Sequence, residues 1–480
     1  MSASRRTVSS TSWVTLQTVY TQGFGIAVFG IQAPLLGPRA FGLVAIVMAF
    51  VSLCELLLSE AAIDGLISVR EITPEHYATV NTITLAIAAS IGVALILLAR
   101  PLAAMFHETD LILIFRALAV LPLVSAVGVA PNAATKREMQ FKPLALRMIA
   151  SVTCGGVAGI ALSVMGFGAW ALVWQALFQR LVSVGVLWAN TDLKFRCGVS
   201  PQHGRELAEI AWPLVISRAT SWASSQMPRL ILALNLTVTE LGLYSLAARL
   251  GDILVQIVLV PRYAVARVEL RHHLSTSNEF SLAVGRLIRR MSTLGFPLCF
   301  CGAALTPTLM HVWLNPKWFD ATVPGQWLLA SNAALITFYC AGATLLASNQ
   351  QRSEALIAAL QSATLAAVIL GFGPHGLIVV SIAMALRPFG LIPLAGALIR
   401  SKCGVPFRVF LGGQLLPAAA AAVGAGLIWM LRDLSAALIG EFATLLALGV
   451  LGLGVYVLLI ALLAPDLLRQ LLGRPAFSNS

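Results

Sequence analysis

Of the 480 residues, 58% are hydrophobic and only 11% charged, against roughly 25% charged in a soluble domain, so no single aqueous core can hide these apolar side chains. The net charge of +12 is spread over short connections instead of one patch, which excludes nucleic acid as the partner. The chain is therefore expected to be an all-α polytopic membrane protein with about 14 transmembrane helices.

The spans are taken in chain order. Met-Ser-Ala-Ser-Arg-Arg opens like a signal-peptide n-region, but the stretch after it is long and laced with Gln and Thr, with no small-residue cleavage site. It is read as an uncleaved first span, 12–36. Ser10, Gln17, Thr21 and Gly25 give this span a polar stripe. The second span, 42–69, holds Glu55, Glu60 and Asp64. Glu60 and Asp64 share a face at i, i+4, while Glu55 points elsewhere. Buried carboxylates take up protons more readily and also suit Na⁺. Glu60, Asp252 and Glu55 are the candidate ion-coupling residues, so H⁺ or Na⁺ coupling is open.

Spans follow at 78–99, 112–134, 144–165 and 169–189. Arg116 and Arg180 fall near the ends or shoulders of theirs, where a guanidinium can snorkel to the interface. The seventh span, 208–233, is the most informative. Arg218 and Arg229 are about 1100° of helix apart, so they fall within about 20° of each other. Ser221, Trp222, Ser225 and Gln226 lie between them, and Pro228 is expected to kink the helix. Two readings of this stripe are open: a wall of a hydrated lumen, or polar contact with a neighbouring helix. The eighth span, 241–264, places Arg249 and Asp252 at i, i+3, close enough to pair. The candidate substrate-binding set is Arg218, Arg229, Arg249, Ser225 and Gln17.

A basic connection, 265–286, comes next. It is either a helix lying on the membrane surface or a solvated connector, and it carries His272-His273. The last six spans are expected at 287–311, 323–347, 355–373, 376–398, 409–431 and 439–464. Arg387 falls inside one of them. Trp313, Trp318 and Trp327 bracket a loop, as interfacial aromatics do. Each lipid-facing arginine at a span centre costs about 2.5–3.5 kcal/mol. The six intramembrane arginines must therefore snorkel, pair with acids or line a wet cavity.

Most of the Lys and Arg side chains fall on one side of this topology, among them Arg5, Arg6, Lys136, Arg137, Lys194, Arg196, Arg286, Arg400 and Lys402. The opposite loops hold Arg39, Arg100, Lys317 and Arg432. The bias places both termini in the cytoplasm of a multi-pass membrane protein. A weak repeat relates Leu36-Gly-Pro-Arg-Ala-Phe-Gly42 to Leu236-Thr-Val-Thr-Glu-Leu-Gly242, and Trp13 to Trp212. It divides the chain into an N-terminal six-helix lobe (1–200), a C-terminal six-helix lobe (201–400), and two additional helices with a cytoplasmic tail (401–480). Such duplication is a common transporter plan.

No catalytic constellation is visible. Cys54, Cys154, Cys197, Cys299, Cys301, Cys340 and Cys403 are scattered through apolar runs, and no histidine completes a metal set. There is no phosphate-cradling glycine loop. The chain is expected to be no enzyme and to need no metal or cofactor.

Several stretches resemble the Wzx-like polysaccharide flippases of the multidrug/oligosaccharidyl-lipid/polysaccharide exporter superfamily. They are Leu36 to Phe50, the run from Arg70-Glu-Ile-Thr, Lys136 to Lys142 with Gly166 to Val173, and Gly242 to Arg249. The resemblance covers about residues 10–300. It implies two six-helix lobes in pseudo-two-fold arrangement, alternating access and a cationic cavity. It also implies that the substrate is an oligosaccharide on undecaprenyl pyrophosphate, exported for exopolysaccharide or lipopolysaccharide synthesis, with a polysaccharide polymerase and co-polymerase as protein partners. Glu60 matches the acidic residue that family members carry near the end of span two. Pro228 and Arg229 stand where many members have an Asp. Two alternatives stay open: a cation-coupled drug exporter of the same superfamily, and a non-transporting membrane scaffold of a polysaccharide assembly complex.

Overall fold

The computed structural model describes residues 2–56, 61–255, 263, 266, 269–271 and 277–465. Among the described residues all regular structure is helical, with no strand, and the chain divides into two compact units, Met1–Gly242 and Leu243–Ser480. The all-α membrane architecture expected from composition is what the chain adopts. Among the described residues, twelve helical stretches are long and apolar enough to cross a membrane.

The first unit contains α1 (Ser2–Leu36), α2 (Pro38–Glu55), α3 (Ala61–Ser68), α4 (Pro74–Met105), α5 (Asp110–Leu118), α6 (Leu121–Val127), α7 (Val129–Arg137), α8 (Phe141–Val164), α9 (Ala169–Ala189) and α10 (Pro201–Asn235). The fourth predicted span is a chain of three short helices, α5 to α7. Pro122 in the first turn of α6 lacks the N–H that would continue α5, and Gly128 separates α6 from α7. By contrast, α10 runs on through Pro213 and Pro228. It is the seventh predicted span, but Arg205, Glu206, Glu209, Arg218 and Arg229 make it less apolar than the twelve stretches above.

Packing in this unit depends on small residues. Gly155, Gly156 and Gly159 on α8 leave room for Gln175 and Gln179 of α9 and for Phe24 and Val28 of α1. Gln32 then donates to Gln175 Oε1 at 2.7 Å across the helix triple, and Tyr20 and Thr153 share a 2.8 Å hydrogen bond. In a membrane, where apolar burial gives little drive between helices, close backbone approach and buried hydrogen bonds supply the contact energy. The α8–α9 turn explains the Gly166-Phe-Gly168 fingerprint: both glycines have positive φ (83° and 58°), a region that side chains disfavour.

Two glycines allow a close helix crossing. α11 (Val238–Leu254) begins in the first unit and continues into the second. A Cβ on Gly42 would overlap the Val238 carbonyl, and a Cβ on Gly242 would overlap the Pro38 carbonyl. Gly42 and Gly242 thus occupy one reciprocal helix crossing. Gly242→Val is expected to force the backbones apart and destabilise by about 1–3 kcal/mol, seen as a lower melting temperature in detergent. Gly23→Ala, where no atom lies within 4 Å of the added Cβ, is expected to leave it unchanged.

The second unit continues with α12 (Ser277–Trp313), α13 (Thr322–Ala347), α14 (Gln351–Phe372), α15 (Leu377–Cys403), α16 (Phe407–Ile439) and α17 (Glu441–Leu463). α12 lies against α13, α16 and α17 around a core that includes Ile288, Phe296, Cys299, Ile336 and Phe410. Buried polar groups are tied across it: Thr337 donates to Gln414 Oε1 and Tyr456 to the Thr293 carbonyl, each at 2.7 Å. On α17, Val450 and Leu462 remain 75% and 70% exposed, surface that lipid covers at no cost. One expectation needs correcting. Trp318 is fully buried, so only Trp313 and Trp327 have the exposure of interfacial anchors. The 3₁₀ turn Pro316–Ala321 folds the Trp318 indole inward.

Candidate functional site

Two clusters of charged side chains lie among the helices of the first unit. The first joins four helices. Glu55 ends α2, Ser125 lies on α6, Arg147 on α8 and Arg180 on α9. Arg180 Nη2 donates to Glu55 Oε1 in an ion pair, and Ser125 Oγ donates to the same oxygen at 3.0 Å. Arg180 was expected to snorkel; instead it turns inward to a carboxylate. The partners are 125 positions apart, so no helical spacing shows the pair.

Arg147 is the residue that sequence reasoning missed. It lies near the start of its span, where a cation bears on orientation and does not stand out as a site. In the fold it is half-buried and feels the charge of Arg180. Its Nε is buried without a hydrogen-bond partner. The only available signal was its depth of two turns inside α8. Arg180 takes the Glu55 carboxylate while Arg147 lies near Arg180, so the cluster carries two guanidinium groups to one carboxylate. Such a cluster favours an anion, and guanidinium forks match phosphate or carboxylate oxygens.

The second cluster joins α3 and α10. Arg218 Nη2 donates to Asp64 Oδ2 at 2.8 Å, with side-chain exposures of 44% and 28%. Asp64 is therefore a partner of Arg218. One turn on, Trp222 is buried and its Nε1 donates to Ser52 Oγ of α2 at 3.0 Å. At Trp222 the stripe on α10 is a polar helix contact, the second of its two readings. Gln226 is half-buried and Arg229 exposed.

α3 is itself held by Arg137 at the end of α7. Its guanidinium donates to the carbonyls of Leu66 and Ile67 at 3.1 and 3.3 Å, and to those of Val69 and Arg70 at 2.5 and 2.8 Å. These are the orphan acceptors that close a helix. The Lys136 to Lys142 fingerprint thus has a physical role: Arg137 caps the short helix that carries Asp64.

The other predicted site residues are more dispersed. Gln17 is half-buried on α1. Arg249 and Asp252 stand one turn apart on α11, both exposed. Glu60 and the side chain of Ser225 lie outside the described residues, as do the side chains of Ser10 and Ser221 and the pair His272-His273. Arg116 is exposed on α5. Arg387 is half-buried on α15 in the second unit. Among the described residues no group of His, Cys, Asp and Glu is placed to hold a metal ion.

Comparison with known proteins places this geometry. A family model for polysaccharide biosynthesis proteins matches residues 31–323. The succinoglycan biosynthesis transport protein ExoT of Rhizobium meliloti (strain 1021) is 25% identical over 325 residues. That match covers 68% of this chain and 66% of ExoT, just under two thirds of the relative's length. Among solved structures, the lipid II flippase MurJ in an inward closed conformation superposes with a TM-score of 0.74 at 10% identity, over 96% of this chain and 100% of that one. An inward-facing multidrug resistance MATE family transporter of the MOP superfamily gives a TM-score of 0.58 at 11% identity, over 84% and 95%. At such identities the solved structures show a common fold alone. The family model spans more than half of the chain, including both charge clusters, and the chain belongs to the polysaccharide biosynthesis protein family.

Proposed function

We propose that this protein translocates undecaprenyl-pyrophosphate-linked oligosaccharide repeat units across the bacterial inner membrane, for exopolysaccharide or lipopolysaccharide synthesis, by alternating access. The observation that carries the reading is the surplus of guanidinium over carboxylate within the membrane helices of the first unit. A pyrophosphate or an acidic sugar supplies the missing negative charge. Arg147 and Arg180 bind the anion, with Glu55 and Ser125 holding Arg180 in place. Arg218, set by Asp64, and Arg229 and Arg249 provide further cationic contacts. The isoprenoid tail stays in hydrocarbon, where its burial needs no protein groups. Neutralisation of a carboxylate such as Glu60, Asp252 or Glu55 biases the conformational equilibrium by differential binding of H⁺ or Na⁺. Both termini are cytoplasmic, and a polymerase and co-polymerase receive the flipped unit.

Membership of the polysaccharide biosynthesis protein family, the likeness to ExoT and the fold common with MurJ support this reading, and the same surplus of arginine disfavours a cationic drug as substrate. A strain lacking the gene tests it. The expected result is accumulation of lipid-linked repeat units and loss of surface polysaccharide, with unchanged susceptibility to cationic drugs. Heightened drug susceptibility with normal polysaccharide would point to the exporter alternative.

A further inference from the structure

A groove of about 620 Å³ runs between α14 and α15 in the second unit. Val368 and Phe372 of α14 and Ile382 and Leu386 of α15 form its walls. Thr364 and Arg387 are the lining residues farthest from the Gly373–His375 turn that joins the two helices. From Phe372 to Thr364 the groove covers about 12 Å of helix. Its deep end therefore lies near mid-span, and there an apolar channel meets a charge.

Arg387 is incompletely satisfied. Its Nη1 donates to the Gln361 carbonyl and, at 3.3 Å, to Thr364 Oγ1. Its Nε is buried without a hydrogen-bond partner, and no carboxylate pairs with it among the described residues. Two neutral oxygens offset only part of the cost of a mid-membrane cation. An anion at that depth would offset more. A resident phospholipid cannot supply one, because its chain ends lie at mid-bilayer and its phosphate at the interface. The chemistry fits a lipid whose anionic head crosses the membrane while its chain stays in hydrocarbon.

We propose that the α14–α15 groove holds the head-proximal isoprene units of the polyprenyl carrier, with Arg387 on its pyrophosphate as the head passes mid-membrane. The assignment rests on the translocation reading above. It adds a second anion station, in the second unit, and a track for the tail.

The test is carrier binding by the full-length protein in phosphatidylcholine nanodiscs, with undecaprenyl pyrophosphate and undecaprenol as probes. Ala383→Trp, which fills the groove, is expected to weaken both probes at least tenfold. Arg387→Gln is expected to weaken the pyrophosphate at least tenfold and leave undecaprenol unchanged. Should Ala383→Trp fold poorly, a benzophenone side chain at the exposed Leu386 is expected to crosslink to undecaprenyl pyrophosphate. Wild-type binding with unaltered variants, or no crosslink at Leu386, would overturn the groove assignment and leave translocation standing. Displacement of the probe by equimolar phosphatidylglycerol would likewise overturn it, making the groove an ordinary lipid contact. Absence of any wild-type binding would remove both readings.

Discussion

Arg180→Gln is expected to reduce polysaccharide export at least a hundredfold and also to lower the yield of folded protein. Two effects add. Loss of the guanidinium removes a charge-assisted contact to the substrate anion, worth about 1.5–3 kcal/mol. It also strands Glu55, an unpaired carboxylate between membrane helices. Breaking a buried pair this way costs about 3 kcal/mol here, the low end of the usual range, because Arg180 and Glu55 keep 36% and 21% exposure. The double variant Glu55→Gln/Arg180→Gln separates the two. Its yield is expected to return to near the wild-type level while export stays lost. Arg147→Gln, which strands no partner, is expected to fold normally and to lower export about tenfold or more. Export is read from surface polysaccharide and folded yield from monodisperse protein in detergent. Recovery of export in the double variant would mean that the pair is only a strut.

The second large effect is expected at the α3–α10 pair. Arg218→Glu sets two carboxylates face to face where a 2.8 Å ion pair stood, and like charges so placed repel strongly in low dielectric. Folded yield and export are both expected to collapse. The swap Asp64→Arg/Arg218→Glu restores opposite charges across the same gap, so yield is expected to recover. Export is expected to stay at least tenfold down, because the cation has moved from α10 to α3. A swap that exports normally would show that Arg218 acts only by holding α3 against α10.

These effects show how far the sequence could be read. The helices were legible because lipid demands long apolar runs, and Gly42 and Gly242 stood out by position before the close crossing gave them a steric role. The sequence also pointed to arginine in the membrane as the informative feature. Which arginines matter was less visible. Local spacing offered Arg218 with Arg229 and Arg249 with Asp252, whereas the two pairs at the charge clusters, Arg180–Glu55 and Arg218–Asp64, span 125 and 154 positions. Such partners are set by helix packing, and hydropathy does not encode it. Arg147 was missed for another reason. A cationic residue near a span end counts toward orientation, and only the packing of α8 against α9 brings it to Arg180. Trp222 stood on a polar stripe by spacing, yet its indole is buried against Ser52, because a helical wheel shows a face but not the neighbour it touches.

The central claim is that a lipid-linked anion crosses the membrane through this protein. The most direct measurement is scrambling of an undecaprenyl-pyrophosphate oligosaccharide in proteoliposomes, read as the fraction that a membrane-impermeant glycosidase or lectin can reach. With wild-type protein, lipid initially shielded in the inner leaflet should become accessible within minutes, and Arg147→Gln/Arg180→Gln should abolish this. Accessibility that stays at the level of protein-free liposomes, with correctly inserted wild-type protein and the coupling ion gradient supplied, would contradict the account.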